Sequence, residues 1–206
     1  MVRCYDNMVS RRKILLFGGS FNPPTLAHEA IIEACLALPG FDEVWVMPSG
    51  SRNDKAIPTS DEHRQRMAEI VRGERFASDP RLVISDFELG LPRPTSTYRT
   101  VAALAKAYPD VEFWWALGAD SYHSMPTPAW EHGAELQKTL NLLVFSRDTG
   151  SAVTNDNVTY MQLPPPLRQI SSTHVRSAIA ENNHIDAAIS PPVLRYIREH
   201  NLYGHH

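Results

Sequence analysis

Only two cysteines occur in the 206 residues, Cys4 and Cys35. One stands near the start of the chain and the other inside a helical pattern, so neither a disulfide framework nor a cysteine zinc site is available. That usage fits a reducing, cytoplasmic setting. Long hydrophobic runs are missing too: no stretch approaches the ~20 apolar residues of a membrane helix. Met1 to Lys13 is polar and mixed in charge, so no secretory signal is expected. Residues 1–12 read as a flexible tail, and His205 and His206 receive no role. Nor is there a basic excess. The 20 Lys and Arg against 23 Asp and Glu leave a formal charge of −3, which argues against the basic face of a nucleic-acid-binding protein. No carboxylate cluster offers a dedicated metal cage.

What is present is ordinary globular composition, 43% hydrophobic and 21% charged, in a chain long enough for one well-buried domain over 13–204. Strand-like and helix-like segments alternate. Lys13–Phe17, Glu43–Met47, Leu82–Ser85, Val111–Leu117, Leu142–Phe145 and Val158–Met161 read as strands. Ala27, Ala30, Ile31, Ala34, Cys35 and Leu38 form a helical stripe, stopped by Pro39-Gly40. Further helices are expected at Asp61–Val71, Thr97–Ala107, Thr173–Ala180 and Val193–Glu199. This alternation predicts an α/β fold, a doubly wound and mostly parallel sheet with helices on both faces. Ligands of such sheets bind at the carboxyl ends of the strands. The loops there are GGSFNPPT, PSGSRNDK and GADSYH, after the first, second and fourth strands.

In the first loop, Gly18 and Gly19 permit special backbone geometry or close ligand approach. The following helix start offers N–H groups and a positive dipole end. Thr25 and His28, three residues apart, share one side of its first turn. A phosphate cradle would need those features; a tight turn beside a half-exposed histidine would also produce them. The second cluster, ISSTHVRSAI at 170–179, places Ser171, Ser172 and Thr173 at a helix start with Arg176 one turn on. Arginine suits bidentate phosphate contact. A capped helix with a surface arginine has the same pattern.

Taken together, GGSFNPPTLAH and ISSTHVR resemble the nucleotidyltransferase superfamily with an (H/T)xGH signature, and within it the nicotinate/nicotinamide mononucleotide adenylyltransferases. PSGSRNDKAIPTSDEHRQRMAE, GADSYHSMPTPAW and VLRYIREHNLYG are similar to further segments of that family, in the same order. Thr25 takes the place of the first histidine of many members, Ala27 that of the usual glycine, and Arg99 that of an acidic residue. The resemblance implies a Rossmann-like nucleotidyltransferase domain that transfers the AMP moiety of ATP to a pyridine mononucleotide in NAD biosynthesis, releasing pyrophosphate.

It also implies roles. His28, Thr25 and Arg176 would be catalytic, with His28 on the α-phosphate and Thr25 donating to ATP phosphates. Gly18, Gly19, Ser20, Phe21, Gly118, Asp120, Ser171, Ser172, Thr173 and Arg176 would bind ATP. Ser20, Lys55, Thr97, Thr100 and Trp130 would bind the mononucleotide, with Trp130 stacking on its ring. Trp114 and Trp115 read as packing. Magnesium would arrive on the ATP phosphates. Neither nucleic acid nor membrane is expected as a partner; a homo-oligomer is left open. Two alternatives stand: another phosphate acceptor such as phosphopantetheine, or a nucleotide-binding protein with weakened catalysis.

Overall fold

The computed structural model describes residues 11–50, 57–146, 157–183, 185 and 187–204. Six strands form one sheet: β1 (Arg12–Gly19), β2 (Glu43–Pro48), β3 (Leu82–Ile84), β4 (Val111–Gly118), β5 (Asn141–Ser146) and β6 (Val158–Gln162). Their order is β3-β2-β1-β4-β5-β6, and every pairing is parallel. The chain winds outward from β1 in one direction and from β4 in the other, so the order reverses between these two central strands.

The parallel sheet is covered on both sides because its strands carry apolar residues on both faces. Leu15 and Phe17 of β1 enter one core, together with Ile31, Ile32 and Cys35 of α1 (Leu26–Ala37) and Met67 and Val71 of α2 (Asp61–Arg75). The same core takes Val175 of α6 (Ser172–Ala180) and Val193 and Ile197 of α7 (Pro191–Glu199). Ile14 and Leu16 point the other way, toward Leu104 of α3 (Thr97–Ala107) and Leu136 of α5 (Gly133–Thr139). Burial in the first core pushes the Cys35 thiol up to about 12, so this cysteine is an inert packing group.

The expected strands and long helices are present with shifts at their ends. β1 begins at Arg12, inside the stretch read as tail, and α2 runs four residues beyond Val71. Two short helices were not expected: α4 (Ala119–Ser124) and α5. Ser60, Ser96 and Ser171 accept from main-chain N–H groups at the starts of α2, α3 and α6. Among the described residues no helix is long and apolar enough to cross a membrane.

Candidate active site

A cleft of about 410 Å³ opens at the carboxyl ends of the central strands, where the strand order reverses. Gly18, Gly19 and Ser20 line it from the end of β1, and Gly118 from the end of β4. Neither Gly18 nor Gly19 has positive φ. The left-handed residue is instead Phe21, with φ 44. A phenylalanine there is a strained position. Its ring is buried and meets Phe17 edge-on at 5.4 Å. Phe21 therefore shapes the loop from below rather than touching a ligand with its side chain.

His28 lines the cleft, but Thr25 does not. Thr25 is fully buried, and two of its atoms meet the imidazole from behind. Its main-chain N–H donates to Nδ1 at 3.0 Å and its hydroxyl lies 2.8 Å from the same nitrogen. A nitrogen that accepts from an amide carries no proton, so the neutral ring holds its proton on Nε2. Thr25, expected to face the cleft, instead meets the back of the His28 ring.

The second cluster folds against the first loop across about 150 positions. Ser172 Oγ donates to the carbonyl of Pro23 at 2.8 Å, and Arg176 donates to the carbonyl of Asn22 at 2.8 Å. Arg176 also donates to Thr173 Oγ1 at 3.2 Å. Ser171, Ser172 and Thr173 line the cleft, whereas Arg176 sits on the seam between the two segments. Two helix N-termini, those of α1 and α6, therefore border one cavity, an arrangement that favours anions. Asn22 is held a second time, by the hydroxyl of Tyr203 on its Oδ1 at 2.7 Å. Burial raises the Tyr203 hydroxyl to about 12.

On the β4 side, Asp120 in the first turn of α4 lines the cleft beside Gly118. Trp130 lines it further out, its indole N–H donating to Ser124 Oγ at 3.0 Å. Thr97 is with it, but Thr100 is not: Thr100 is fully buried and donates to the carbonyl of Ser96 within α3. Arg99, together with Ser96, holds Glu131, the neighbour of Trp130; the Ser96 hydroxyl donates to it at 2.6 Å and Arg99 Nε lies 3.2 Å away. The hydrogen bond from Ser96, and then the charge of Arg99, keep the Glu131 carboxyl below its usual range. Trp115 packs in the core and also reaches the cleft; Trp114 packs edge-on against Phe41. Lys55 lies outside the described residues.

Three lining or supporting residues were not expected. Glu88, buried, accepts from Gly50 N–H and from Thr95 Oγ1, both at 3.0 Å. Glu88 and Thr95 both line the cleft. Arg64 lies fully buried behind it. Nothing periodic in the sequence marks Glu88, Thr95 or Arg64; the spacing of Arg64 from Asp61, one helical turn, is also that of an ordinary surface ion pair.

This fold and cleft define the cytidylyltransferase-like class, whose family model matches residues 16–178. The chain is 33% identical over 197 residues to a protein of Shouchella clausii and 30% identical over 194 residues to one of Oceanobacillus iheyensis. Both are named "Probable nicotinate-nucleotide adenylyltransferase", and each match covers 94% of this chain and 97% of the relative. The chain belongs to the nicotinate-nucleotide adenylyltransferase family. The same fold is found in the Plasmodium falciparum nicotinic acid mononucleotide adenylyltransferase complexed with NaAD, with a TM-score of 0.84 at 24% identity, covering 95% of this chain and 98% of that one.

Proposed function

We propose that this protein joins the AMP moiety of ATP to nicotinate mononucleotide, giving deamido-NAD and pyrophosphate. The observation that carries the reading is the convergence of the α1 and α6 N-termini on one cleft, with His28 oriented between them by Thr25. The names of the full-length relatives favour the acid form of the mononucleotide.

A phosphate oxygen of the mononucleotide attacks the α-phosphorus of ATP, and the bond to pyrophosphate breaks. The nucleophile is already anionic, so no general base is required. Catalysis reduces to positioning and stabilisation of charge on the α-phosphoryl oxygens. His28, protonated on Nε2, donates to one of those oxygens. Gly18 and Gly19 let the phosphates approach the main chain, and Ser20 meets the mononucleotide. Ser171, Ser172 and Thr173 hold the β- and γ-phosphates with the α6 N-terminus. Arg176 has five N–H donors, of which the seam uses two; the others meet the departing pyrophosphate. Asp120 accepts from the adenosine ribose, and Trp130 stacks on the pyridine. Among the described residues no three His, Cys, Asp or Glu side chains form a metal cage. Magnesium would arrive with ATP on its phosphate oxygens and would neutralise part of their charge.

The test is an assay of purified protein with ATP and each mononucleotide separately, following pyrophosphate and the dinucleotide. Deamido-NAD formation is expected. ATP binding without pyrophosphate release would refute the reading in favour of a nucleotide-binding protein.

A further inference from the structure

Arg64 is unusual in three respects. Its side chain is fully buried. It ends on two main-chain carbonyls from different loops: Nη1 donates to Ser20 at 3.0 Å and Nη2 to Ser49 at 2.7 Å. Both serines line the cleft. Its Nε has no partner among the described residues, so the site does not optimise the burial of this charge; it optimises reach. A buried guanidinium carries a desolvation cost that an apolar side chain would not. Its planar fork can bridge two acceptors in a fixed geometry, which an ammonium cannot do.

The connections extend further. Nη2 of Arg64 also contacts Asp61, and the other oxygen of Asp61 is paired with Arg93. Arg93 stands at the entry to α3, two residues before Thr95, and Thr95 is tied through Glu88 to Gly50. The first turn of α2 thus joins the segments that follow β1, β2 and β3. Gly118, Asp120 and the start of α6 are not part of this network. Those residues form the ATP side of the cleft in the reading above.

We propose that Arg64 is a positioning residue that fixes the separation of the Ser20 and Ser49 walls, and so sets the mononucleotide side of the cleft while leaving the ATP side alone. This rests on the substrate assignment under Proposed function. Losing the bridge lets the two walls move independently. The mononucleotide then binds less tightly, because the groups that meet it are no longer pre-positioned.

The experiment compares the parent with Arg64→Met and Arg64→Lys in steady-state kinetics. It adds amide hydrogen exchange over residues 14–21 and 43–50. The expected result for both variants is a rise of about tenfold or more in KM for the mononucleotide, with KM for ATP within about twofold of the parent. Exchange in both segments should be faster. A folded variant with parental Michaelis constants and parental exchange overturns the proposal. So does an equal rise in both Michaelis constants, which a general loss of structure would produce. If Arg64→Met does not fold, Arg64→Lys carries the test, since it keeps the charge and loses the second carbonyl. Absence of turnover in the parent would refute the substrate assignment by itself; exchange in the two segments would still decide whether Arg64 fixes them.

Discussion

The main-chain N–H of Thr25 donates to Nδ1 of His28 at 3.0 Å, and the Thr25 hydroxyl lies 2.8 Å from the same nitrogen. Threonine at this position is therefore no vacancy in a two-histidine signature. It holds the remaining imidazole with its proton on the nitrogen farther from the helix start. His28→Ala should lower kcat by about 100-fold or more, the scale of losing one transition-state donor, and should lower the melting temperature without abolishing folding, since the buried Thr25 N–H and hydroxyl lose their partner. Thr25→Val keeps the amide and removes the hydroxyl, so a smaller loss of about tenfold in kcat is expected. Near-parental kcat in His28→Ala would remove the imidazole from the mechanism.

The seam between the first loop and the start of α6 makes a separate prediction. Arg176 both bonds the carbonyl of Asn22 and stands one turn behind Thr173. Arg176→Ala should raise KM for ATP by about tenfold, because a charge-assisted phosphate contact is lost along with the support of the first loop. Ser172→Ala removes the bond to Pro23. It should lower stability by about 1 kcal/mol, measured by urea denaturation. ATP dependence unchanged in Arg176→Ala would count against the phosphate assignment.

Trp130 borders the cleft with its indole N–H fixed on Ser124 Oγ, and the Glu131 that follows it is held at the start of α3. An aromatic face anchored at both ends loses little freedom when a flat ring stacks on it. Trp130→Ala should raise KM for the mononucleotide about tenfold and leave KM for ATP nearly unchanged. An unaltered mononucleotide KM would move the stacking role elsewhere.

The sheet was legible because its strands are short apolar runs bounded by glycine, proline or a charged turn, and burial on both faces leaves such runs uninterrupted. The α4 and α5 helices were not, since six and seven residues are too few to show an apolar period. Ser171 and Ser172 were legible as a helix start because hydroxyl residues ahead of an apolar helical stripe are a capping pattern in themselves; that they line the cleft follows from the packing of α6 against the first loop. Thr25 and Thr100 were not resolved the same way. A threonine in a first turn has the same local signature whether its hydroxyl faces a ligand or closes a bond beneath it. Arg64 was hidden for a related reason: a charged residue in the amphipathic DEHRQRMAE reads as solvent-facing. Only tertiary packing turns it toward the carbonyls of Ser20 and Ser49.

Tyr203 supplies a prediction about pH. Its hydroxyl holds Asn22 Oδ1, and burial raises it from 10.0 to about 12. In the unfolded chain the group ionises near 10, so between about 10 and 12 the folded protein keeps a proton that the unfolded chain has released. Folding stability then falls as pH rises through that window, and the contribution is intact below it. The interval from 10.0 to about 12 corresponds to roughly 2 to 3 kcal/mol. Cys35 acts in the same direction from its usual value of 9.0 up to about 12, so alkaline loss begins before Tyr203 titrates. Tyr203→Phe should be less stable than the parent at neutral pH, since Asn22 Oδ1 loses its donor. Its stability should also fall less steeply above pH 10. Melting temperatures of parent and variant from pH 8 to 11 check both statements; parallel curves would show that the Tyr203 hydroxyl does not couple folding to alkaline titration.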